Sequence, residues 1–156
     1  MFAATIGSTQ VVGRVDFSLT AINDAPLATA GTGDGLEDTT IAVSLAGSDV
    51  DSAIAAVTIQ QLPANGTLLL ADGVTAVAAG QTLTPAQAAG LLYRPDPNYW
   101  GTTSIAFTVT DDQGATSAPA TWSLTITAVN DLPVPGNDSF TVGEDGSTTI
   151  DVLAND

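Results

Sequence analysis

The 156-residue chain contains no cysteine, no histidine and only two basic residues, Arg14 and Arg94. Without cysteine there are no disulfides and no thiol chemistry. Without histidine the commonest general base and the commonest zinc ligand are missing. The acidic residues number 17, which gives a formal net charge of -15, although only 12% of residues are charged. A field this negative repels phosphate backbones and anionic lipid. Nucleic acid and membrane insertion are therefore not expected, and cations are the natural partners. Long apolar runs are also missing, and no window approaches the roughly 18 unbroken apolar residues of a membrane span. The N-terminus has no basic residue before Arg14, and Gly7, Ser8, Thr9 and Gln10 break its apolar stretch. It does not read as a signal peptide. If the protein is exported, the signal lies elsewhere and the chain is a piece of something larger.

What is present is an apolar share of 44%, enough to build a core and too much for an acidic disordered tail. The chain also repeats itself. AINDAP at 21–26 returns as AVNDLP at 128–133, an offset of 107 residues between Asn23 and Asn130. The same offset pairs Leu19 with Ile126, Thr20 with Thr127, Glu37 with Glu144, Asp38 with Asp145 and Asp49 with Asp156. One register held without a gap marks a tandem repeat. It divides the chain into the C-terminal strand of a preceding repeat (1–24), a complete repeat (25–131) and the start of the next (132–156).

Within the complete repeat the hydrophobic period is two. Ile41, Val43 and Leu45 alternate with Ala42 and Ser44, Ile105, Phe107 and Val109 with Ala106 and Thr108, and Trp122, Leu124 and Ile126 with Ser123 and Thr125. Such alternation makes half-buried strands, with threonine on the wet face. Seven are expected, at about 27–30, 40–45, 56–62, 67–70, 91–94, 104–110 and 121–129. Pro63-Ala64-Asn65-Gly66 predicts a turn, with Asn-Gly favouring a tight hairpin. Asp72-Gly73 and Asp112-Gln113-Gly114 predict further turns. Thr84-Pro85-Ala86-Gln87 has the N-cap, the proline and the capping glutamine of a helix start, for one or two turns before Gly90. The expected fold is an all-β, seven-stranded Greek-key β-sandwich with one short helical turn.

Strand parity then sorts the loops. With seven strands running alternately down and up, Asn23-Asp24 lies at the top with the loops that carry Asp49 and Asp51, Asp72, and Asp111 and Asp112. Glu37 and Asp38, Asn65-Gly66, Asp96 and Asn98, and the outgoing Asn130-Asp131 lie at the bottom. An odd strand count puts the two linkers at opposite ends, so repeats chain into a rod. Two carboxylates about 5 Å apart repel by about 3 kcal/mol at an effective dielectric of 20, and there is no lysine to offset them. Clustered Asp, Glu and Asn oxygens suit Ca2+, which takes about 6–8 oxygens at about 2.3–2.6 Å, better than the tighter octahedron of Mg2+. The bland alternative is that Asp, Asn and Gly are what turns use.

The stretch VTDDQGATSAPATWSLTITAVNDLP resembles the end of a cadherin-type repeat, with its Asp-containing turn, long strand and Asn-Asp linker before proline. RPDPNYWGTTSIAFTVTDDQG is similar to the Asn-Tyr-x-Gly region of bacterial cadherin-like tandem repeats, and DSFTVGEDGSTTIDVLAND to the opening of another. Such repeats are extenders of giant adhesins secreted by type I systems, including the RTX adhesins. The resemblance implies a cadherin/immunoglobulin-like sandwich, calcium at the inter-repeat junctions, neighbouring repeats as partners, and a place on the bacterial cell surface in adhesion or biofilm. Surface glycans or host and biofilm matrix would be met through other domains. By position, the resemblance implies calcium ligands at Asp49 and Asp51, at Asp111, at the linkers Asn23-Asp24 and Asn130-Asp131, and at Glu37. Asp96 sits near where cadherins carry an Asp-Arg-Glu triplet, which is absent here. The fuller Asp-x-Asn-Asp-Asn linker is absent too, which implies fewer ions per junction than in animal cadherins.

Gly31-Thr32-Gly33-Asp34-Gly35 has the glycine-Asp pattern of calcium β-rolls, but a roll needs stacked copies, so a flexible loop is expected. Asn65-Gly66-Thr67 and Asn137-Asp138-Ser139 match glycosylation sequons and read as turns. Tyr99 and Trp100 are expected to pack; as a sugar platform they would instead make the chain a carbohydrate-binding module of a secreted polysaccharide-active protein. Arg94 is expected to neutralise a local carboxylate. No enzyme is expected: a serine triad has no base, and Glu37 and Glu144 occupy equivalent places in successive repeats rather than flanking one glycosidic bond. Orphan strands are expected at 15–22 and within 140–152.

Overall fold

A computed structural model describes residues 2–6, 9–13, 16–20, 22–132, 139 and 141–149. Two N-terminal strands, β1 (Phe2–Ile6) and β2 (Thr9–Gly13), form an antiparallel hairpin. The remaining strands are β3 (Leu27–Thr29), β4 (Gly31–Leu36), β5 (Ile41–Val43), β6 (Ala46–Ser48), β7 (Ile54–Gln61), β8 (Gly66–Leu69), β9 (Thr82–Leu83), β10 (Leu91–Pro95), β11 (Gly101–Asp111) and β12 (Ala120–Thr127). The helix α1 (Pro85–Ala89) sits between β9 and β10.

One sheet has the order β4-β12-β11-β7-β9, the facing one β5-β10-β8, and β3 pairs with β6. β3 and β4 are the two halves of one first strand. Its first half pairs antiparallel with β6 and its second half runs parallel to β12. β5 and β6 are likewise halves of one second strand. The result is an all-β, immunoglobulin-like sandwich with one short helix.

The alternation read from the sequence is the alternation of burial. Val43, Leu91 and Tyr93 from one sheet meet Ile59, Ile105, Phe107 and Leu124 from the other, all essentially without solvent contact. Each large apolar side chain so buried contributes about 1.5–3 kcal/mol. Tyr93 is the largest of them. Its hydroxyl donates to the carbonyls of Ala64 and Asn65 at 3.0 and 2.8 Å, and burial pushes its pKa up to about 12.

Several expectations are corrected. The glycine-rich 31–35 stretch is a strand and not a flexible loop: β4 matches β12 residue for residue from Gly31 opposite Trp122 to Leu36 opposite Thr127. Its glycines are the face turned inward. A Cβ on Gly31 would lie 2.1 Å from the Trp122 ring, and one on Gly35 2.5 Å from Ile41. Asn65-Gly66 does not close a hairpin, because β7 and β8 belong to different sheets. Asn65 takes a left-handed turn at φ 56°, and Gly66 is small because Tyr93 and the Arg94 carbonyl press against it. The described residues of 15–22 and of 140–152 carry no strand. Asn137, Asp138 and Asp156 lie outside the described residues.

Between β8 and β10 the chain makes a detour. It turns at Asp72, runs back beside β8 through the Leu69–Ala76 bridge, and returns as β9 along β7. The extra pass down and the extra pass up cancel, so loop parity is preserved. The helix is held by the capping box: Thr84 Oγ1 accepts from Gln87 N at 3.2 Å and Gln87 Oε1 accepts from Thr84 N at 2.9 Å. It fills the break between β5 and β6, where Leu45 N donates to the Ala88 carbonyl at 3.0 Å.

Candidate metal site

The top of the sandwich is where the incoming linker, the β6–β7 loop and the end of β11 converge. The register of β11 against β7 shifts between Thr110 and Asp111, and Asp111, in step with the inward Ile105, Phe107 and Val109, is only 2% exposed. One of its oxygens, Oδ1, accepts from the amides of Gln113 and Ala115 at 2.9 and 2.8 Å, closing the β11–β12 turn. The other, Oδ2, accepts from Nδ2 of Asn23 at 2.8 Å, across 88 residues of chain. The Asn23 bond, followed by the turn amides against the opposing effect of burial, holds the Asp111 carboxyl below the ordinary aspartate value.

The β6–β7 loop supplies the second half. Asp49 Oδ1 accepts from the amides of Asp51 and Ser52 at 2.9 and 3.1 Å, an Asx turn that folds the loop onto itself. The Asp51 amide is the main cause of a lowered Asp49 pKa. Asp51 Oδ2 in turn accepts from the Asp24 amide at 3.4 Å. The Asp51 carboxyl is pushed up, first by the side-chain contact with Asp49, then by burial, and further by the negative charge of Asp49 and Asp24. The loop's amides favour the charged form of Asp49, and the neighbouring carboxylate disfavours that of Asp51.

Three buried oxygens at this pole accept nothing: Oδ1 of Asn23, Oδ2 of Asp49 and Oγ of Ser52. The amide orientation of Asn23 follows from chemistry, since only its NH2 can face the Asp111 carboxylate. Its carbonyl oxygen is therefore the unsatisfied atom. Buried acceptors without donors are rare and costly. An amide, a carboxylate and a hydroxyl oxygen are all hard oxygen donors, the class from which Ca2+ takes its ligands. Among the described residues no group of three or more Asp, Glu, His or Cys side chains is placed to hold a metal ion. Ser52 was passed over in the sequence; its signal is its place directly after Asp-Val-Asp.

The structure thus brings Asn23, Asp24, Asp49, Asp51 and Asp111 into one hydrogen-bonded pole. Asp72 forms its own turn, accepting from Val74 N, Thr75 N and Thr75 Oγ1. At the opposite pole the acids are not gathered in the same way. Glu37, 4% exposed, accepts from the Val129 amide at 2.6 Å, and its own amide donates to the Thr127 carbonyl. Asp38 Oδ1 accepts from Asn98 N at 3.0 Å. Asp96 is exposed, and Asn130 and Asp131 are exposed and bond only to each other among the described residues. Tyr99 is half-buried with its hydroxyl on the Thr102 carbonyl, whereas Trp100 is 67% exposed and corrects the expectation that both aromatics pack.

A family model described as bacterial Ig domain matches residues 23–127. The chain belongs to the bacterial Ig domain family. That bacterial Ig segment opens on Asn23 and closes on Thr127, the last residue of β12. Among solved structures, the chain is similar to the fibronectin(III)-like modules of Clostridium thermocellum CbhA, at 16% identity and a TM-score of 0.36 over 70% of this chain and 50% of that one. It spans about half the length of that solved chain. It is also similar to a conjugate transposon protein (27-141) from Bacteroides vulgatus, at 14% identity and a TM-score of 0.42 over 73% of this chain and 92% of that one. No curated protein matches the sequence. Among the described residues no helix is long and apolar enough to cross a membrane. Bacterial Ig sandwiches are structural modules of surface proteins, and the chemistry of any one member is decided at its site.

Proposed function

We propose that this bacterial Ig domain is a calcium-stiffened extender repeat of a large bacterial surface adhesin, with 1–24 and 132–156 as parts of the adjoining repeats. The observation that carries this reading is the pair of unsatisfied oxygens on Asn23 and Asp49, buried where the incoming linker meets the sandwich. The odd number of passes supports it as well, because linkers at opposite ends suit a rod. Bound Ca2+ would supply the positive charge that a pole of carboxylates without lysine lacks. Asn23 holds the linker to Asp111, Asp49 shapes the loop, and Asp51 receives the Asp24 amide. Together they restrict the hinge between repeats, and the array projects a distal binding domain from the cell.

The test is a calcium titration of the melting temperature of the 156-residue chain, with EDTA as reference. An extracellular module with a Kd of about 10⁻⁴–10⁻³ M gains about 1.4–2.7 kcal/mol at 10 mM Ca2+. That is a rise of about 6–20 °C, at about 4–8 °C per kcal/mol for a domain of about 100 residues. Asp49→Asn should remove most of the rise. A melting temperature indifferent to calcium overturns the proposal. The exposed Trp100 favours one second reading, a carbohydrate-binding module. Polysaccharide binding that vanishes in Trp100→Ala, beside a calcium-indifferent melting temperature, would establish it.

A further inference from the structure

We infer that each Asn-Asp linker is held by the repeat that follows it and not by the repeat that precedes it, so that an ion bound in one repeat orders the linker in front of that repeat. This rests on the calcium reading above and deepens it, by assigning the outgoing linker as well as the incoming one to the repeat that follows it. The same Asn-Asp pair occurs twice in this chain, in two different states. Asn23 and Asp24 are tied to the sandwich they lead into: Asn23 Nδ2 to Asp111 Oδ2 at 2.8 Å, and the Asp24 amide to Asp51 Oδ2 at 3.4 Å. Pro26 behind them is buried. The unsatisfied Asn23 and Asp49 oxygens both belong to this linker and to the repeat after it.

Asn130 and Asp131 leave the same sandwich and receive nothing comparable. The repeat's hold on its outgoing chain stops at Val129, through Glu37. Beyond that both residues are exposed, and the one hydrogen bond among the described residues runs from Asn130 Nδ2 to the Asp131 carbonyl. Their acceptors, by the 107-residue register, are the counterparts of Asp51 and Asp111 in the next repeat, and these are not among the 156 residues. The next repeat has already begun: the turn at 143–146 sets Asp145 at φ 62°, as the turn at 36–39 sets Asp38 at φ 58°. Asn130 thus stands to the repeat that follows it as Asn23 stands to this one.

Backbone and side-chain amide 15N relaxation of the full chain, with calcium and with EDTA, tests this. Calcium should bring Asn23 and Asp24 to the order parameter of the sandwich, about 0.85, and leave Asn130 and Asp131 below about 0.6. Asn23→Ala should abolish the calcium response at Asp24, and Asn130→Ala should leave it intact. Both variants lie outside the strands, and the dispersion of the amide spectrum reports that they fold. If calcium raises the melting temperature but both linkers respond alike, or the outgoing one alone, or if Asn23→Ala keeps the response, the linker assignment is overturned while the calcium reading stands. If calcium moves neither the spectrum nor the melting temperature, both fall together.

Discussion

Gly31 and Trp122 show how one residue type licenses another. They face each other across β4 and β12, and the indole lies where a side chain on residue 31 would be. A methyl group placed 2.1 Å from the ring must displace it, and the ring is packed against the core with its Nε1 buried and unpartnered. Overpacking of this kind costs about 1–3 kcal/mol. Gly31→Ala should therefore lower the urea midpoint by a corresponding amount, and Gly31→Ala with Trp122→Leu should recover part of the loss. A single variant as stable as the parent would mean that the ring is free to move. The glycines were visible in the sequence, but their reason was not. Three glycines at spacing two satisfy both a loop and a strand that must pass close under a large ring, and only the facing partner decides.

At the scale of elements, legibility followed the strength of the local code. The capping box at Thr84 and the alternation around Phe107 and Leu124 were legible because each is satisfied by its own neighbours or by one buried face. β9, of two residues, was not: its pairing with Val57 and Thr58 is a tertiary choice. The break between β5 and β6 was missed for the same reason, since what mends it is the Ala88 carbonyl, 43 positions away from Leu45. That bond makes the helix a structural part of the second strand. Thr84→Ala removes an N-cap and should cost about 1 kcal/mol, lowering the melting temperature by about 4–8 °C. Hydrogen exchange should show the protection of the Leu45 amide falling with it. If the helix were a mere surface turn, Leu45 would keep its protection.

The whole molecule is governed by where its passes begin and end. Parity alone assigned the loops to poles in the sequence, and the hydrogen bonds of Asn23 and of Glu37 show the two poles made differently, one from side chains with spare oxygens and one from a buried carboxylate on backbone. Parity could not reveal that difference, because it counts strands and not partners. The same geometry fixes how a rod carries load. The incoming linker leaves from the top and β12 leaves from the bottom, and β4 and β12 run parallel through six matched pairs. Pulling on positions 24 and 130 therefore slides the two strands past each other and loads those pairs together. Pulling on Leu36 and Thr127, which are partners at one end of the ladder, parts them one after another. Forced unfolding reads the barrier and not the equilibrium. With the same sequence and the same pairs, single-molecule rupture at a common loading rate should need clearly more force for the first attachment than for the second. Equal forces would show that the β4–β12 ladder is not what resists tension along the rod.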